Sequence, residues 1–299
     1  MTARASVTRL DDRGVVRVGG TDAEKLLQGL VTNDLGLLAG QPAIHTGLLS
    51  PQGKILFEFF IAKSQSGLLL DLARDKAGEL TKRLTMYKLR ADVTIADVSE
   101  QFVVLALWGQ NASSSGETTG TVSFADPRHP DMGIRILADA IFASDIASAT
   151  NGFDATLQDY TAHRIALGVA EGGCDWDFGD AYPHEANFDL MAGVSFTKGC
   201  YVGQEIVARM QHKTVIRKRV VPISSLEALP SDRPEVTAGG VSIGKLGSIA
   251  GNSGLAMLRL DRAAEFTEKG VPLLAGSVPV TLAPTPWLSS AEPDPAPGG

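Results

Sequence analysis

The apolar and polar positions of the chain change texture along its length. Between residues 5 and 18 the apolar positions alternate weakly, and "DDRG" at 11–14 predicts a turn between two short strands. "TDAE" at 21–24 has Thr21 and Glu24 at capping-box spacing, which predicts a helix with Leu26, Leu27 and Leu30 on one face. "LLSPQGKILFEFFIAKSQSGLLLDLA", from residue 48, predicts a hairpin. Pro51 and Gly53 make its entry turn, "SQSG" its tip, and Ile55, Phe57, Phe59 and Ile61 share one face. Residues 74–89 carry Ala77, Leu80, Leu84 and Tyr87 on a helical stripe. "ADVTIADV" and "FVVLALWG" then read as strands, so this stretch is expected to form one compact ββαββ unit.

The polar, glycine-rich run at 109–120 predicts an exposed loop. A strand at 133–138 and a helix near 154–167 follow. Residues 167–189 form a long irregular segment with several acids and no Lys or Arg, and a loop of that length is usually functional. After Arg219, short strands separated by glycine turns predict a small β-barrel. The proline-rich end at 291–299 is expected to be disordered.

Composition narrows the function classes. The 299 residues suffice for two or three domains. A net charge of −7 argues against stable nucleic-acid binding, so any anion needs a local basic patch. No apolar run approaches a membrane span, and the first residues lack a signal core, so a cytoplasmic location is expected. Two cysteines, Cys174 and Cys200, are too few for a disulfide framework or a Cys₄ zinc site. Gly239, Gly244 and Lys245 mimic part of a phosphate-binding loop, but Leu246 stands where Ser or Thr should be.

Candidate chemistry gathers around "TKGCYVGQE" at 197–205. "GQEIVARM" looks helical, which sets Cys200 near a helix N-terminus and near Lys198. Both features would favour a thiolate. A buried free cysteine is equally a small packing residue, and no sequence motif supplies a catalytic base, although His184 and His212 are candidates. From Ile206 to Leu226 there is no acid, while Arg209, Lys213, Arg217, Lys218 and Arg219 are present. That run is a solvated face or an anion site. "YPHEANFD" at 182–189 offers Tyr182, Glu185, Asn187 and Phe188, a set suited to a flat heterocycle such as a pterin, or simply to loop structure.

"GVSFTKGCYVGQEIVAR" resembles the K-G-C-[FY]-x-G-Q-E signature of the YgfZ/Caf17 family. Lys198, Gly199, Cys200, Tyr201, Gly203, Gln204 and Glu205 all match it. Pro183, Glu185 and Asn187, "GVAEG", "LLQGLVTNDL" and "LRLD" extend the resemblance over nearly the whole chain. Members are folate-binding iron–sulfur cluster assembly proteins, related in fold to the aminomethyltransferase (T-protein) of the glycine cleavage system. The resemblance implies an α+β three-domain ring. Residues 1–46 with 125–212 would form a discontinuous domain, 47–124 an inserted domain, and 213–290 a C-terminal β-barrel. It further implies a folate, tetrahydrofolate or a relative, held by Tyr182, Glu185, Asn187, Arg209 and Arg217. Cys200 would act as a thiolate or as one ligand of a transient [4Fe–4S] cluster shared with an A-type carrier protein, since clusters take four thiolates. Phe57 and Glu58 stand where T-proteins carry paired acids, and Glu171 falls one position from the T-protein glutamate. An assembly factor therefore fits better than a turnover enzyme. A tetrahydrofolate-dependent one-carbon transferase or demethylase is the alternative, and a plain folate-binding module the third.

Overall fold

The computed structural model describes residues 5–110, 112, 117–118, 120–142, 152–213 and 215–284. The disordered end expected at 291–299 lies outside them, as do residues 111, 113–116 and 119 of the expected 109–120 loop.

Three sheets meet on one core. The first is antiparallel, with strands β2 (Arg13–Gly19), β3 (Ala43–Leu49), β4 (Ile55–Ser64), β5 (Gly67–Ala73) and β6 (Thr94–Asp97) in the order β3-β4-β5-β2-β6. The second holds β1 (Ser6–Arg9), β7 (Phe102–Trp108), β8 (Glu117–Thr118), β9 (Thr121–Ala125), β10 (Ile134–Asp139) and β11 (Phe153–Asp154). The third is a closed six-stranded barrel of β12 (Lys218–Ser224), β13 (Glu235–Ala238), β14 (Val241–Ala250), β15 (Ser253–Arg259), β16 (Leu273–Ala275) and β17 (Val278–Leu282).

Strand membership crosses the expected inserted unit at 47–124. β6 and β7 were read together but belong to different sheets, and β1 and β2 do not pair as a hairpin. The physical reason is burial on both faces. Every residue from Phe57 to Ala62 is buried. Phe57, Phe59 and Ile61 pack toward α1 (Ala23–Gln28) and α2 (Ala77–Lys88). Phe60 and Ala62 belong to the core that also holds Phe124 of the second sheet and Val220 and Met257 of the barrel. A strand covered on both sides reads as a continuous apolar run and hides which partner it takes.

Two further expectations change. Thr21 does not cap α1, because its Oγ1 donates to Asp92 Oδ2 at 2.9 Å and no side chain caps the helix. The stretch after "LRL" is helical, forming α5 (Leu260–Glu268) across the barrel. The helix α3 (Leu157–Ala166) does carry a complete capping box, Thr156 with Asp159.

Candidate functional site

The signature residues form an irregular loop that enters α4 (Gln204–Lys213). Three of them fix it. Lys198 is buried, and its Nζ donates to the carbonyls of Gln28, Val31 and Asn33 at 2.8, 2.7 and 2.8 Å. An ammonium has three N–H groups, so each meets one carbonyl, the first at the end of α1 and two in the turn beyond it. Burial pulls the Lys198 amine down to about 8, with Asp34 opposing. Tyr201 is buried in the central core, and burial raises its hydroxyl to about 12. Gly203 has φ +83°, and a Cβ there would lie 2.7 Å from the Ser50 carbonyl oxygen. Only glycine lets the loop close on the β3–β4 turn.

Cys200 sits between these anchors and is exposed. The expected help from Lys198 is absent, since its charge is committed to backbone carbonyls. Gly199 has open space around it, so nothing steric in the fold explains it. Glu205 and Arg209 form an exposed pair at 3.3 Å on α4. His184 is buried and its Nε2–H donates to Gln211 Oε1 at 2.9 Å. Burial lowers its pKa, and it contacts the loop through Phe196 at 5.9 Å between ring centroids.

Beside α4 lies an open groove of about 620 Å³. Tyr182, Glu185, Arg209 and Arg217 line it together with Lys218 and Met210, so four of the five predicted folate residues converge. Lys54 Nζ lies 3.4 Å from the Tyr182 ring centroid. Glu185 Oε2 accepts from the Tyr182 amide at 2.9 Å. Asn187 is the exception and is a correction. It is fully buried at φ +61°, its Nδ2 donates to Val220 O, and its Oδ1 accepts from Arg219. It is tied to β12 through Val220 and Arg219 and does not line the groove. Cys200 does not line the groove either.

The strand where T-proteins carry acids offers no free carboxylate. Phe57 is buried, and Glu58 Oε1 meets His45 Nε2 at 2.8 Å while Oε2 accepts from the Gly172 amide at 2.7 Å.

Sequence reasoning missed a buried charge network where the three sheets meet. Arg13 Nε and Arg135 Nη1 donate to the two oxygens of Asp71 at 2.7 and 2.9 Å. Arg128 makes a two-pronged pair with Asp126 at 3.0 and 2.8 Å. Arg164 meets Asp175 at 2.5 Å, and its Nη2 reaches Ser248 of the barrel at 2.6 Å. Burial alone would raise the Glu171 carboxyl, but Arg13 and Arg164 hold it down at about 2. The lone polar residue in "LLLDLA" and in "GIRILA" was the available signal.

The second cysteine, Cys174, follows this network in the 171–177 loop and is exposed. Burial around its thiol, then the Glu171 carboxylate, push it up to about 11. Among the described residues no group of three or more His, Cys, Asp or Glu side chains is placed to hold a metal, and no helix is long and apolar enough to cross a membrane.

The architecture is that of an aminomethyltransferase T. The structure of that protein from Bartonella henselae superposes with a TM-score of 0.76 over 95% of this chain and 86% of its own, at 16% identity. That likeness shows the fold. Residues 217–290 match the family "CAF17, C-terminal beta-barrel domain". The iron–sulfur cluster assembly factor IBA57 of Homo sapiens is 37% identical, covering 91% of this chain and 83% of its own length. The Mycosarcoma maydis homolog is 33% identical, covering 95% and 84%. The chain belongs to the IBA57 family of iron–sulfur cluster assembly factors, and the YgfZ/Caf17 family expected from the signature is a near relative. These relatives are named as mitochondrial proteins, which overturns the cytoplasmic location expected from the sequence.

Proposed function

We propose that this chain assists assembly of [4Fe–4S] clusters by offering the Cys200 thiolate as one ligand of a cluster shared with an A-type carrier protein. The observation that carries this reading is the exposed Cys200 on a loop whose neighbours are fixed from below. One thiolate cannot hold a cluster alone, so the partner supplies the others. Mixing the chain with a cluster-loaded carrier tests it. The wild type forms a complex with a cluster absorption band, and Cys200→Ser does not. An identical band with the serine variant sinks the ligand role.

The Tyr182–Arg217 groove is the folate site in this reading. Its size falls within the range of small-molecule pockets. Tyr182 offers a ring face, Glu185 an acceptor for ring N–H groups, and Arg209, Arg217 and Lys218 suit an anionic tail. Folate would supply one-carbon chemistry when bound, while these side chains bind and orient it. Arg217→Ala is expected to weaken tetrahydrofolate binding about tenfold in calorimetry, as loss of one charge-assisted hydrogen bond predicts. Unchanged affinity removes the groove from consideration. The transferase alternative lacks a free carboxylate at Glu58.

A further inference from the structure

Between residues 191 and 200 the backbone that leads to Cys200 forms turns and irregular chain, with no helix or strand. Its polar groups still need partners, and they find them in one distant stretch, residues 32–45. Three successive carbonyls are each met by a side chain. His45 Nδ1 lies 3.0 Å from the Met191 oxygen. A carbonyl only accepts, so that nitrogen carries the proton. Asn33 Nδ2 donates to the Ala192 carbonyl at 2.7 Å, and Thr32 Oγ1 donates to the Gly193 carbonyl at 2.6 Å. The Thr32 carbonyl then accepts from the Ser195 amide at 3.0 Å. Thr32, Asn33 and His45 are all buried.

The donors in this clamp are committed. Asn33 has two amide N–H groups, and the second donates to the His45 carbonyl at 2.8 Å. Thr46 Oγ1 accepts from the Asn33 backbone amide at 3.0 Å and lies 3.1 Å from Thr32 Oγ1. Thr32 gives its single O–H to Gly193, so the Thr46 hydroxyl donates to Thr32. The Gly47 amide donates to the same Thr32 oxygen at 2.9 Å. A polar network with every member satisfied fixes one arrangement, where apolar packing accepts several. Space is equally tight. A Cβ on Gly193 would lie 2.9 Å from the Phe188 ring and 3.0 Å from His45 Nδ1. The segment therefore has one seat, and the chain reaches Cys200 two residues after the Lys198 anchor. We propose that Thr32, Asn33 and His45 are positioning residues for Cys200, which set where its thiol stands. The consequence for cluster sharing rests on the ligand role proposed above. Residues that orient a metal ligand from behind govern metal affinity by about 10–100-fold.

The test attaches a nitroxide to Cys200 of the whole chain in a Cys174→Ser background and reads its motion by electron paramagnetic resonance. The unmodified clamp is expected to give a spectrum of restricted motion. Asn33→Ala and Thr32→Val are expected to shift it to fast motion, and Thr32→Ser, which keeps the hydroxyl, to retain the restricted form. Asn33→Ala leaves the hydroxyl network in place and decides the matter where Thr32→Val does not fold. Asp71→Ala is the control, since it destabilises the chain through Arg13 and Arg135 and is expected to leave the label restricted. A label already in fast motion without any clamp substitution overturns the proposal, and so does an unchanged Asn33→Ala spectrum. Equal loosening by Asp71→Ala also overturns it, because motion would then follow stability alone. Without the label, Asn33→Ala is expected to take up a cluster from a loaded carrier about tenfold more weakly. A loosened label beside cluster sharing that survives Cys200→Ser sinks the ligand role and leaves the positioning role standing. A loosened label beside undiminished, Cys200-dependent sharing overturns the positioning role in function.

Discussion

The chain carries its two cysteines in two loops that are anchored in different ways. Both cysteines are exposed and both follow glycine. The 197–203 loop is tied down by an ammonium that meets three backbone carbonyls. The 171–177 loop is tied down by Glu171 and Asp175, which pair with Arg13 and Arg164. The difference lies in what each anchor leaves beside the sulfur. Burial, and after it the Glu171 carboxylate of its anchor, push the Cys174 thiol up. The Lys198 anchor is inside the protein, on three backbone carbonyls. Burial around the thiol first, and the anchor's charge second, set Cys174 apart.

The sharpest way to break this contrast is to swap the consequences. In cells lacking the endogenous factor, wild type and Cys174→Ser are expected to restore a [4Fe–4S] enzyme such as aconitase fully, and Cys200→Ser not at all, at equal protein level. Rescue by Cys200→Ser would make the two cysteines equivalent and end the comparison.

The anchors themselves come next. Asp71→Ala leaves Arg13 and Arg135 buried without their shared acid. Stripping one partner from a buried ion pair costs about 3–5 kcal/mol, which denaturant titration would register as a large fall in midpoint. Lys198→Met keeps the stem volume and removes three hydrogen bonds. Some of those carbonyls regain water, so the expected loss is smaller, about 1–3 kcal/mol. The Lys198 variant should also weaken cluster sharing while Cys200 is still present. A stable Lys198→Met protein with intact sharing would mean that the loop needs no anchor from below.

Much of the site was legible because its residues are local. The signature, the basic run and "YPHE" lie within a few dozen residues, and helix α4 brings Arg209 beside Tyr182 and Arg217. Asn187 misled because an amide in a loop looks available, whereas a left-handed backbone and Arg219 hold it inside. The network around Asp71 was invisible because its partners come from residues 13, 126–135 and 160–175. Pairings at such separation depend on which sheet each strand joins, and the apolar run at 55–62 is the same whichever partner it takes. Thr21 and Thr156 teach the same lesson at short range. Both have an acid three residues on, but Asp92 captures Thr21 while Thr156 is free to cap.

The smallest effect is also the most direct reading of the contrast. Alkylation by iodoacetamide at neutral pH should label Cys200 well before Cys174. The Cys174 rate should climb about tenfold per pH unit and level off only near pH 11, where its thiol ionises. The same displacement has a sign for stability. The folded thiol ionises about two units above its ordinary 9.0, so between pH 9 and 11 the unfolded chain releases a proton that the folded chain keeps. This contribution is present below pH 9 and lost as pH rises toward 11. Cys174→Ser should remove that slope and change stability at neutral pH by no more than about 0.5 kcal/mol, as for other surface substitutions. If Cys174 instead reacts as fast as Cys200 at neutral pH, burial and the Glu171 carboxylate do not suppress its thiolate, and the 171–177 loop becomes a second candidate for the shared ligand.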